Sequence, residues 1–302
     1  MFKTLAMEQD RDPNVHRGAR FLGKADFPSR VLVISPHVDD AAFSLAATLK
    51  VLVAAGSAVQ IVNCFTLSRY APFSGAKSKI SALTRRRHEE EAFLHYLGGN
   101  SSSVDLGLVD APARTGAGLR GMMASHLPLK ELSETVAMLA ASLDDVDDDT
   151  AIISPLAIGD HSDHYIARQA AMLKYHDRPI AFYEDLPYAA TANESYVANS
   201  LKQTAESFEG GLKPLLFHWP GDAAWKRQSC SHYKSQISET GIQKILDYME
   251  RTTGERLWCS AHFIENWEWQ LTPRRSVCDQ GTVLSLNAHL PPGDSEDDNH
   301  TF

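Results

Sequence analysis

Long apolar runs are absent from this chain of 302 residues. The longest candidate, residues 41–55, is interrupted by Ser44, Thr48 and Lys50, so no segment approaches the roughly 18 apolar residues that a transmembrane helix requires. Residues 1–30 also lack the uninterrupted apolar core of a secretory signal peptide. We therefore expect a protein that does not span a membrane and is located in the cytoplasm.

Cysteine is scarce, and its spacing argues against both a disulfide-rich domain and a zinc site built from cysteines. The four cysteines lie far apart in the chain, and none forms a C-x-x-C pair. Such spacing favours neither a disulfide framework nor a zinc site built from thiolates. The reducing cytoplasm is the compartment that suits these cysteines best.

Positive charge is also limited, since 29 lysines and arginines stand against 38 aspartates and glutamates, a net charge of −9. Four of the acidic residues belong to the terminal sequence "PPGDSEDDNHTF", so the rest of the chain is only mildly acidic. No basic stripe of the kind that binds a phosphate backbone is present in the sequence. Nucleic acid is therefore not an expected partner.

Buried strands alternate with helices through the first two thirds of the chain. Residues 31–36 and 58–66 are β-branched and apolar without alternation, which is typical of strands covered on both faces. Between them, residues 41–55 have helical spacing and end at Gly56, a common helix terminator. Further strands are predicted at 102–108, 150–156 and 179–184, and further helices at 82–99, 129–143 and 163–176. This order predicts an α/β fold with a doubly wound, mostly parallel, Rossmann-like sheet flanked by helices.

The alternation weakens after about residue 190. A strand is predicted at 213–219, helices at 222–236 and 240–251, and an aromatic-rich strand or hairpin at 257–271. Residues 67–80 and 109–124 show no period and are interpreted as long loops, which compact domains usually keep for a functional site.

The domain organisation follows from these patterns. We interpret residues 1–30 as an N-terminal segment and residues 31–288 as a single α/β domain. Within that domain, residues from about 190 to 288 form a C-terminal extension packed on the sheet. Residues 289–302 are interpreted as an acidic, flexible tail.

Ionisable side chains follow two of the predicted strands at the point where each strand ends. His37, Asp39 and Asp40 come directly after the first strand, and the sequence "GDHSDH" (159–164) follows the strand at 150–156. In an open parallel sheet, ligands bind just beyond the carboxyl ends of the strands. The two groups are therefore expected at one edge of the sheet.

The residue types in these two groups suit a divalent metal. A catalytic zinc takes three ligands of the His or carboxylate kind and keeps one position for water. His37, Asp40 and His164 would supply two imidazoles and one carboxylate. Asp39 cannot face the same ion as its neighbour and is left as a general base. His161, one helical turn before His164, is placed to stabilise an oxyanion.

Helix capping is the alternative interpretation of the same residues. Asp39 or Asp40, taken singly, could cap the helix that follows. His161 and Asp163 could form a polar turn with an N-cap. Capping needs one acceptor at each helix start, however, and gives no reason for histidines at both strand ends.

The pair of motifs "SPHVDDAAFS" and "GDHSDH" resembles those of the PIG-L/LmbE-like N-acetylglucosaminyl deacetylases. In that family of zinc-dependent enzymes the first motif is typically Pro-His-Pro-Asp-Asp and the second is His-x-x-His. Similarity extends over most of residues 31–258 through "RRRHEEEAFLHYLGG", "LGLVDAPAR", "FYEDLPYA", "YKSQ" and "GERLW". The chain departs from the pattern at Val38, where proline is usual, and at Ala41, where an acidic residue is common.

The resemblance implies roles for seven residues. They are the zinc ligands His37, Asp40 and His164, the base Asp39, the oxyanion stabiliser His161, and Asp110 and Arg86 as contacts to sugar hydroxyls. It implies one zinc per chain, although another divalent metal could serve. The implied partner is a small N-acetylated amino sugar, with neither a nucleic acid nor a membrane.

The function predicted on this basis is metal-dependent hydrolysis of an N-acetyl amide on an amino sugar, which releases acetate. The substrate would be an N-acetylglucosaminyl-type glycoside, such as the precursor of an antibiotic or a pseudosaccharide. One alternative is an amidase that cleaves a sugar-thiol conjugate. Another is a non-catalytic α/β module that binds a small molecule. A nucleotide-binding form of that module is disfavoured, because residues 35–44 contain no glycine.

Several further charged and aromatic residues invite weaker interpretations. Glu184 and Asp185 could attract the cation of an amino sugar or act as caps and surface charges. The aromatic segment carries Trp258, Trp267 and Trp269, which could stack on a sugar but more often serve a core. Arg85 to Arg87 and Glu89 to Glu91 are expected to form an exposed face of ion pairs.

Overall fold

The computed structural model describes most of the predicted α/β domain. It covers residues 27–68, 71–73, 79–116, 122–218, 222–267, 271–273 and 284–287. The predicted acidic tail, nearly all of the predicted N-terminal segment and Trp269 lie outside the described residues. No helix within the described ranges is long and apolar enough to cross a bilayer.

The strands of the described residues form one sheet. They are β1 (Arg30–Ser35), β2 (Ala58–Asn63), β3 (Ser101–Asp105), β4 (Ala151–Pro155), β5 (Ile180–Tyr183), β6 (Lys213–His218), β7 (Glu255–Cys259), β8 (Leu271–Pro273) and β9 (Leu284–Asn287). Their order across the sheet is β3-β2-β1-β4-β5-β7-β6-β9-β8. The first five strands in this order are mutually parallel, whereas β7 runs antiparallel to both β5 and β6. The mostly parallel sheet predicted from the sequence is confirmed, and the chain beyond residue 190 extends that same sheet.

Helices flank the sheet, and they include the six that the sequence predicts. The described helices are α1 (Asp40–Ala54), α2 (Lys79–Leu97), α3 (Ala111–Thr115), α4 (Leu129–Ser142), α5 (Ser162–Tyr175), α6 (Tyr188–Thr191), α7 (Glu194–Ala205), α8 (Asp222–Ser231), α9 (Glu239–Thr252) and α10 (Ala261–Glu265). A short 3-10 turn lies at Ala124–His126.

Helix α1 is buried on nearly all sides because it lies between the sheet and α8. Its many alanines and small polar residues allow this close packing. Gly56 lies two residues beyond the end of the helix, and its φ of 92° is in the left-handed region that favours glycine. Since α1 begins with Asp40, the position of this helix sets the position of the first polar motif.

The charged cluster on α2 is only in part the exposed face that the sequence predicts, since Arg85, Arg87 and Glu91 are exposed but the other three residues are not. Arg86, Glu89 and Glu90 are buried. They share a helical stripe with Phe93 and Leu97, which belong to the core. This spacing explains their burial, because any residue on the stripe must turn toward the sheet.

The two buried glutamates of α2 hold another part of the chain in place. Glu89 accepts hydrogen bonds from the backbone amide and the hydroxyl of Ser235, at 2.8 and 2.6 Å. Glu90 accepts hydrogen bonds from the Tyr233 hydroxyl and from the Asn63 side chain. Burial raises the pKa of Glu90 to about 7. The "YKSQ" segment is therefore attached to α2 through carboxylates.

Two loop and hairpin predictions are corrected by short helices. Residues 109–124 were expected to be a loop but contain α3, which Asp110 caps by accepting a hydrogen bond from the Ala113 amide at 3.1 Å. The segment 257–271 was expected to be a strand or hairpin. It continues from β7 into α10, because Ser260 caps a new helix through the Phe263 amide.

A buried ion pair joins three of these elements. Lys226 on α8 donates to Glu255 on β7 with 2.5 Å between Nζ and Oε1, and their side chains are 0% and 1% exposed. The Glu255 carboxylate also accepts hydrogen bonds from the amides of Ala47 and Thr48 and from the Thr48 hydroxyl. The pair thus attaches α8 and β7 to α1.

Candidate active site

The two polar motifs meet because their strands are neighbours. β1 and β4 pair in parallel, with Val33 opposite Ile153, and both end at the same edge of the sheet. α1 begins right after β1 and carries Asp40 as its first residue, while α5 follows β4 and carries His164 in its first turn. The chain therefore brings the residues of the two motifs together at the carboxyl edge of the sheet.

His37, Asp40 and His164 form a compact group of three possible metal ligands. Asp40 Oδ2 lies 3.2 Å from His37 Nδ1 and 3.4 Å from His164 Nε2. All three ligand atoms lie within 4.8 Å of one another. Asp40 and His164 are buried and His37 is half-buried, so the group faces little solvent.

The residues present fit a tetrahedral metal ion. Ligand atoms at zinc distances of about 2.0 to 2.1 Å in a tetrahedron are about 3.3 Å apart, close to the two separations measured here. His164 Nε2 is buried and makes no hydrogen bond within the described part of the chain. A buried ring nitrogen without a partner is costly unless something binds it, and a cation among these three atoms would do so.

Each of the two histidines is held on its far side by a carboxylate. His164 Nδ1 lies 2.6 Å from Asp185 Oδ1, and Asp185 is itself fixed by the amide of Ile158 at 2.9 Å. His37 Nε2 lies 3.1 Å from Asp163 Oδ2. Such outer carboxylates orient metal-bound imidazoles and raise their basicity. Their presence leaves His37 Nδ1 and His164 Nε2 as the nitrogens that could bind an ion between them.

Replacing Asp185 with asparagine is expected to weaken zinc affinity by about 10- to 100-fold. The amide can still bond to His164, but it no longer provides the negative charge that strengthens the imidazole as a ligand. Competition with a chromogenic chelator measures the affinity. Asp177→Asn, at an exposed carboxylate beside His176, is the matched control. An Asp185→Asn protein with the affinity of that control would contradict the role assigned to Asp185.

A second set of possible ligands, His37, His161 and Asp163, is less available. Asp163 Oδ1 already accepts a hydrogen bond from Arg114 at 2.8 Å, and Oδ2 accepts one from the Ala111 amide at 2.8 Å. The Asp163 amide in turn donates to His161 Nδ1. With these atoms engaged, Asp163 serves to orient His37 rather than to bind an ion.

The imidazole rings and the carboxylates of this group change each other's pKa values. Burial acts to lower the pKa of His37, but hydrogen bonds with Asp163 and Asp40 outweigh it and raise the pKa to about 10. Burial acts to raise the pKa of Asp40, yet His164 and His37 lower it to about 2. The carboxylates therefore stabilise the protonated, positively charged form of the rings. A divalent cation could replace the protons on these rings.

Asp39 lies apart from the three ligands and faces Arg86. Its Oδ1 accepts a hydrogen bond from Arg86 Nη2 at 3.1 Å. Asp39 precedes α1, but its side chain makes no capping hydrogen bond, so capping does not explain this residue. Burial raises the pKa of Asp39 against the opposing effect of Arg86. A carboxylate of this kind can accept a proton more readily than an exposed one.

His161 is the N-cap residue of α5, and among the described residues only its Nδ1 takes part in a hydrogen bond. Its Nδ1 accepts a hydrogen bond from the Asp163 amide at 3.2 Å. Burial lowers the pKa of His161 to about 3, so the ring is neutral near pH 7. With Nδ1 acting as an acceptor, the single proton of the neutral ring is on Nε2. His161 Nε2 is therefore a hydrogen-bond donor.

These residues border one cavity of about 270 Å³. Six of the seven residues that the resemblance singles out line it, namely His37, Asp39, Asp40, Arg86, Asp110 and His161. His164 lies directly behind, with its ring against His37 and His161. Asp110 lines the cavity while its Oδ1 caps α3. The cavity has room for a small molecule next to the group of possible ligands.

Sequence reasoning did not find the outer carboxylates. Asp185 was considered only as a contact for a cation or as a cap, and Asp163 as a member of the cluster of possible metal ligands or of a polar turn. Asp185 follows β5 and Asp163 lies in the first turn of α5, both at the carboxyl edge of the sheet. This position was the signal by which sequence reasoning could have found them. Glu184 points elsewhere and accepts hydrogen bonds from Tyr248, Arg256 and Trp258.

The tryptophans of the aromatic segment do not line the cavity within the described residues. Trp258 donates its indole N–H to Glu184, and Trp267 is buried in the core against Phe263. Their contacts are those of structural aromatic residues.

Comparisons with known proteins agree with this geometry. Residues 32–175 match the model of the PIG-L family, described as GlcNAc-PI de-N-acetylase. The chain is 30% identical over 238 residues to 2'-N-acetylparomamine deacetylase of Streptomyces fradiae, a match covering 75% of this chain and 80% of that protein.

Solved structures of deacetylases share the fold. A deacetylase of the teicoplanin biosynthesis pathway is 25% identical with a TM-score of 0.57, covering 76% of this chain and 97% of its own. The A40926 pseudoaglycone deacetylase is 25% identical with a TM-score of 0.54, covering 78% and 98%. With the metal-ligand motifs, the cavity and these similarities together, the chain belongs to the PIG-L family of de-N-acetylases.

Proposed function

We propose that this protein hydrolyses the N-acetyl amide of a small amino sugar, with one zinc ion held by His37, Asp40 and His164. Water is consumed, the carbon–nitrogen bond is broken, and acetate and a free amine are released. The observation that carries this proposal is the convergence of three ligand atoms beside a cavity that also presents Asp39 and His161.

The donor set favours zinc, because two imidazoles and a carboxylate with an open position form a typical catalytic zinc site. When bound, zinc lowers the pKa of a water molecule and polarises the amide carbonyl. Asp39 takes the proton from the attacking water, and the guanidinium of Arg86 keeps the carboxylate in position. His161 Nε2 donates to the carbonyl oxygen as negative charge develops there. Asp39 then delivers the proton that it took from the water to the leaving nitrogen, so the amine departs neutral and His161 keeps its Nε2 proton.

Asp110 and Arg86 would contact the sugar from the wall of the cavity. Both line it, and both are buried with polar atoms directed to neighbours that fix them. A carboxylate and a guanidinium are suited to accept from and donate to hydroxyl groups. These two contacts would orient the acetamide toward Asp39.

The substrate class is inferred from the relatives. One is a 2'-N-acetylparomamine deacetylase, another is a deacetylase of the teicoplanin biosynthesis pathway, and a third is the A40926 pseudoaglycone deacetylase. An N-acetylated amino sugar within an antibiotic precursor is therefore the substrate that we propose here. The comparisons do not support a sugar-thiol amidase or a non-catalytic binding module. The cytoplasmic location remains a prediction.

The test is to purify the protein, remove metal with a chelator and reload it with zinc. We expect about one zinc per chain and zinc-dependent release of acetate from 2'-N-acetylparomamine, measured as free amine. His164→Ala should lose zinc, whereas His176→Ala, at an exposed histidine outside the cavity, should retain it. A metal-free preparation with full activity would overturn the zinc assignment. Release of a larger acid in place of acetate would overturn the deacetylase assignment.

A further inference from the structure

Tyr188 is a cavity residue whose hydroxyl has no assigned role. It is the first residue of α6 and follows the end of β5, at the same edge of the sheet as the metal ligands. Its side chain lines the cavity together with His37, Asp39 and His161. The hydroxyl makes no hydrogen bond to the described residues, although a phenol in such a place can both donate and accept.

The ring of Tyr188 is held firmly by its neighbours. It packs edge to face against the ring of His164, with centroids 5.1 Å apart and an angle of 84° between the planes. A methyl group built on Gly159 would lie only 3.1 to 3.3 Å from the Cβ, Cγ and Cδ1 atoms of Tyr188. The close approach therefore depends on glycine at this position, whose φ of 91° also favours glycine.

The side chain of Tyr188 borders the reaction centre, because its ring packs on that of the proposed ligand His164 and it lines the same cavity as Asp39 and Asp40. The ring of His161, with its free Nε2, is 6.0 Å away between centroids. Two neutral donors, His161 and Tyr188, thus border the space next to the possible metal ligands.

We propose that Tyr188 is a further catalytic residue, whose hydroxyl donates a hydrogen bond to the acetyl carbonyl oxygen as that oxygen becomes negatively charged. This inference rests on the deacetylase function proposed above. A fixed donor directed at developing charge stabilises the transition state more than the bound substrate. The hydroxyl keeps its proton throughout, so the balance of the hydrolysis is unchanged.

The decisive variant is Tyr188→Phe, which removes one oxygen and keeps the ring that packs on Gly159 and His164. Tyr196→Phe, at an exposed tyrosine on α7 outside the cavity, is the matched control. For each protein we would measure zinc content and then kcat and KM with 2'-N-acetylparomamine. Titration calorimetry would give the affinity of the zinc-loaded protein for methylphosphonate, a tetrahedral anion that resembles the transition state.

With Tyr188→Phe we expect zinc content and KM to stay within about twofold and kcat to fall about 100-fold, the loss typical of one oxyanion donor. Methylphosphonate should bind about tenfold more weakly, and Tyr196→Phe should behave as wild type. Unchanged kcat and unchanged methylphosphonate affinity would overturn the proposal and leave Tyr188 a packing role. A rise in KM alone would overturn it in favour of a substrate contact. If wild type does not turn over the acetylated sugar, the deacetylase proposal fails, but the methylphosphonate comparison still decides whether Tyr188 binds a tetrahedral anion.

Discussion

Asp39→Asn is expected to reduce turnover by about 10² to 10⁴-fold while zinc stays bound, because a general base contributes an effect of this size. Asparagine has nearly the same shape, and its carbonyl oxygen can still accept the hydrogen bond that Arg86 donates to Asp39. It cannot take a proton from water. The measurement is steady-state acetate release at saturating substrate, with metal analysis of the same preparation.

Asp247→Asn is the control for this substitution, since Asp247 lies on α9 with an exposed hydrogen bond to Gln243 and does not line the cavity. It should keep wild-type turnover. If Asp39→Asn keeps turnover of the same order as this control, Asp39 is not the base. If it loses zinc together with activity, Asp39 acts on the metal site instead.

Lys226→Met is expected to lower the free energy of unfolding by about 3 to 5 kcal/mol. The substitution leaves the charge of Glu255 buried without its cation, 1% exposed and still bonded to Thr48. Urea denaturation followed by circular dichroism at pH 7 would measure the change. A loss of this size is a large part of the stability of an ordinary domain.

Two further variants separate charge from packing in this result. Lys130→Met removes an exposed pair with Glu134 on α4 and should cost about 0.5 kcal/mol or less. Lys226→Met combined with Glu255→Gln leaves no uncompensated charge, so it should be less destabilising than Lys226→Met alone. If Lys226→Met lowers the free energy of unfolding no more than Lys130→Met does, the buried pair does not hold α8 and β7 to α1 in the way described.

The ion pair between Lys226 and Glu255 is also connected to the candidate active site, because Glu255 contacts α1. Glu255 bonds to the middle of α1, and the same helix begins with Asp40. Weakening the pair should therefore disturb the end of α1 that carries Asp40, a proposed metal ligand. A loss of zinc affinity in Lys226→Met, measured where the protein remains folded, would show this connection.

The members of the group of possible metal ligands could be predicted from the sequence, because the group follows from short-range patterns. Apolar runs marked β1 and β4, and the polar residues right after them had to come out at one edge once the strands were parallel. The buried face of α2 was also readable, since Arg86 and Glu90 are spaced with Phe93 and Leu97, but the charges were taken for a solvated surface.

What the sequence by itself determined is the parallel α/β core and the set of ionisable residues at its carboxyl edge, because strand burial and helix periodicity are local properties of the chain. Only the tertiary structure decided that Asp185 supports His164, that Lys226 meets Glu255 and that Tyr188 faces the cavity. These contacts join residues on different elements, and their distances depend on how those elements pack. No spacing along the chain encodes such a distance.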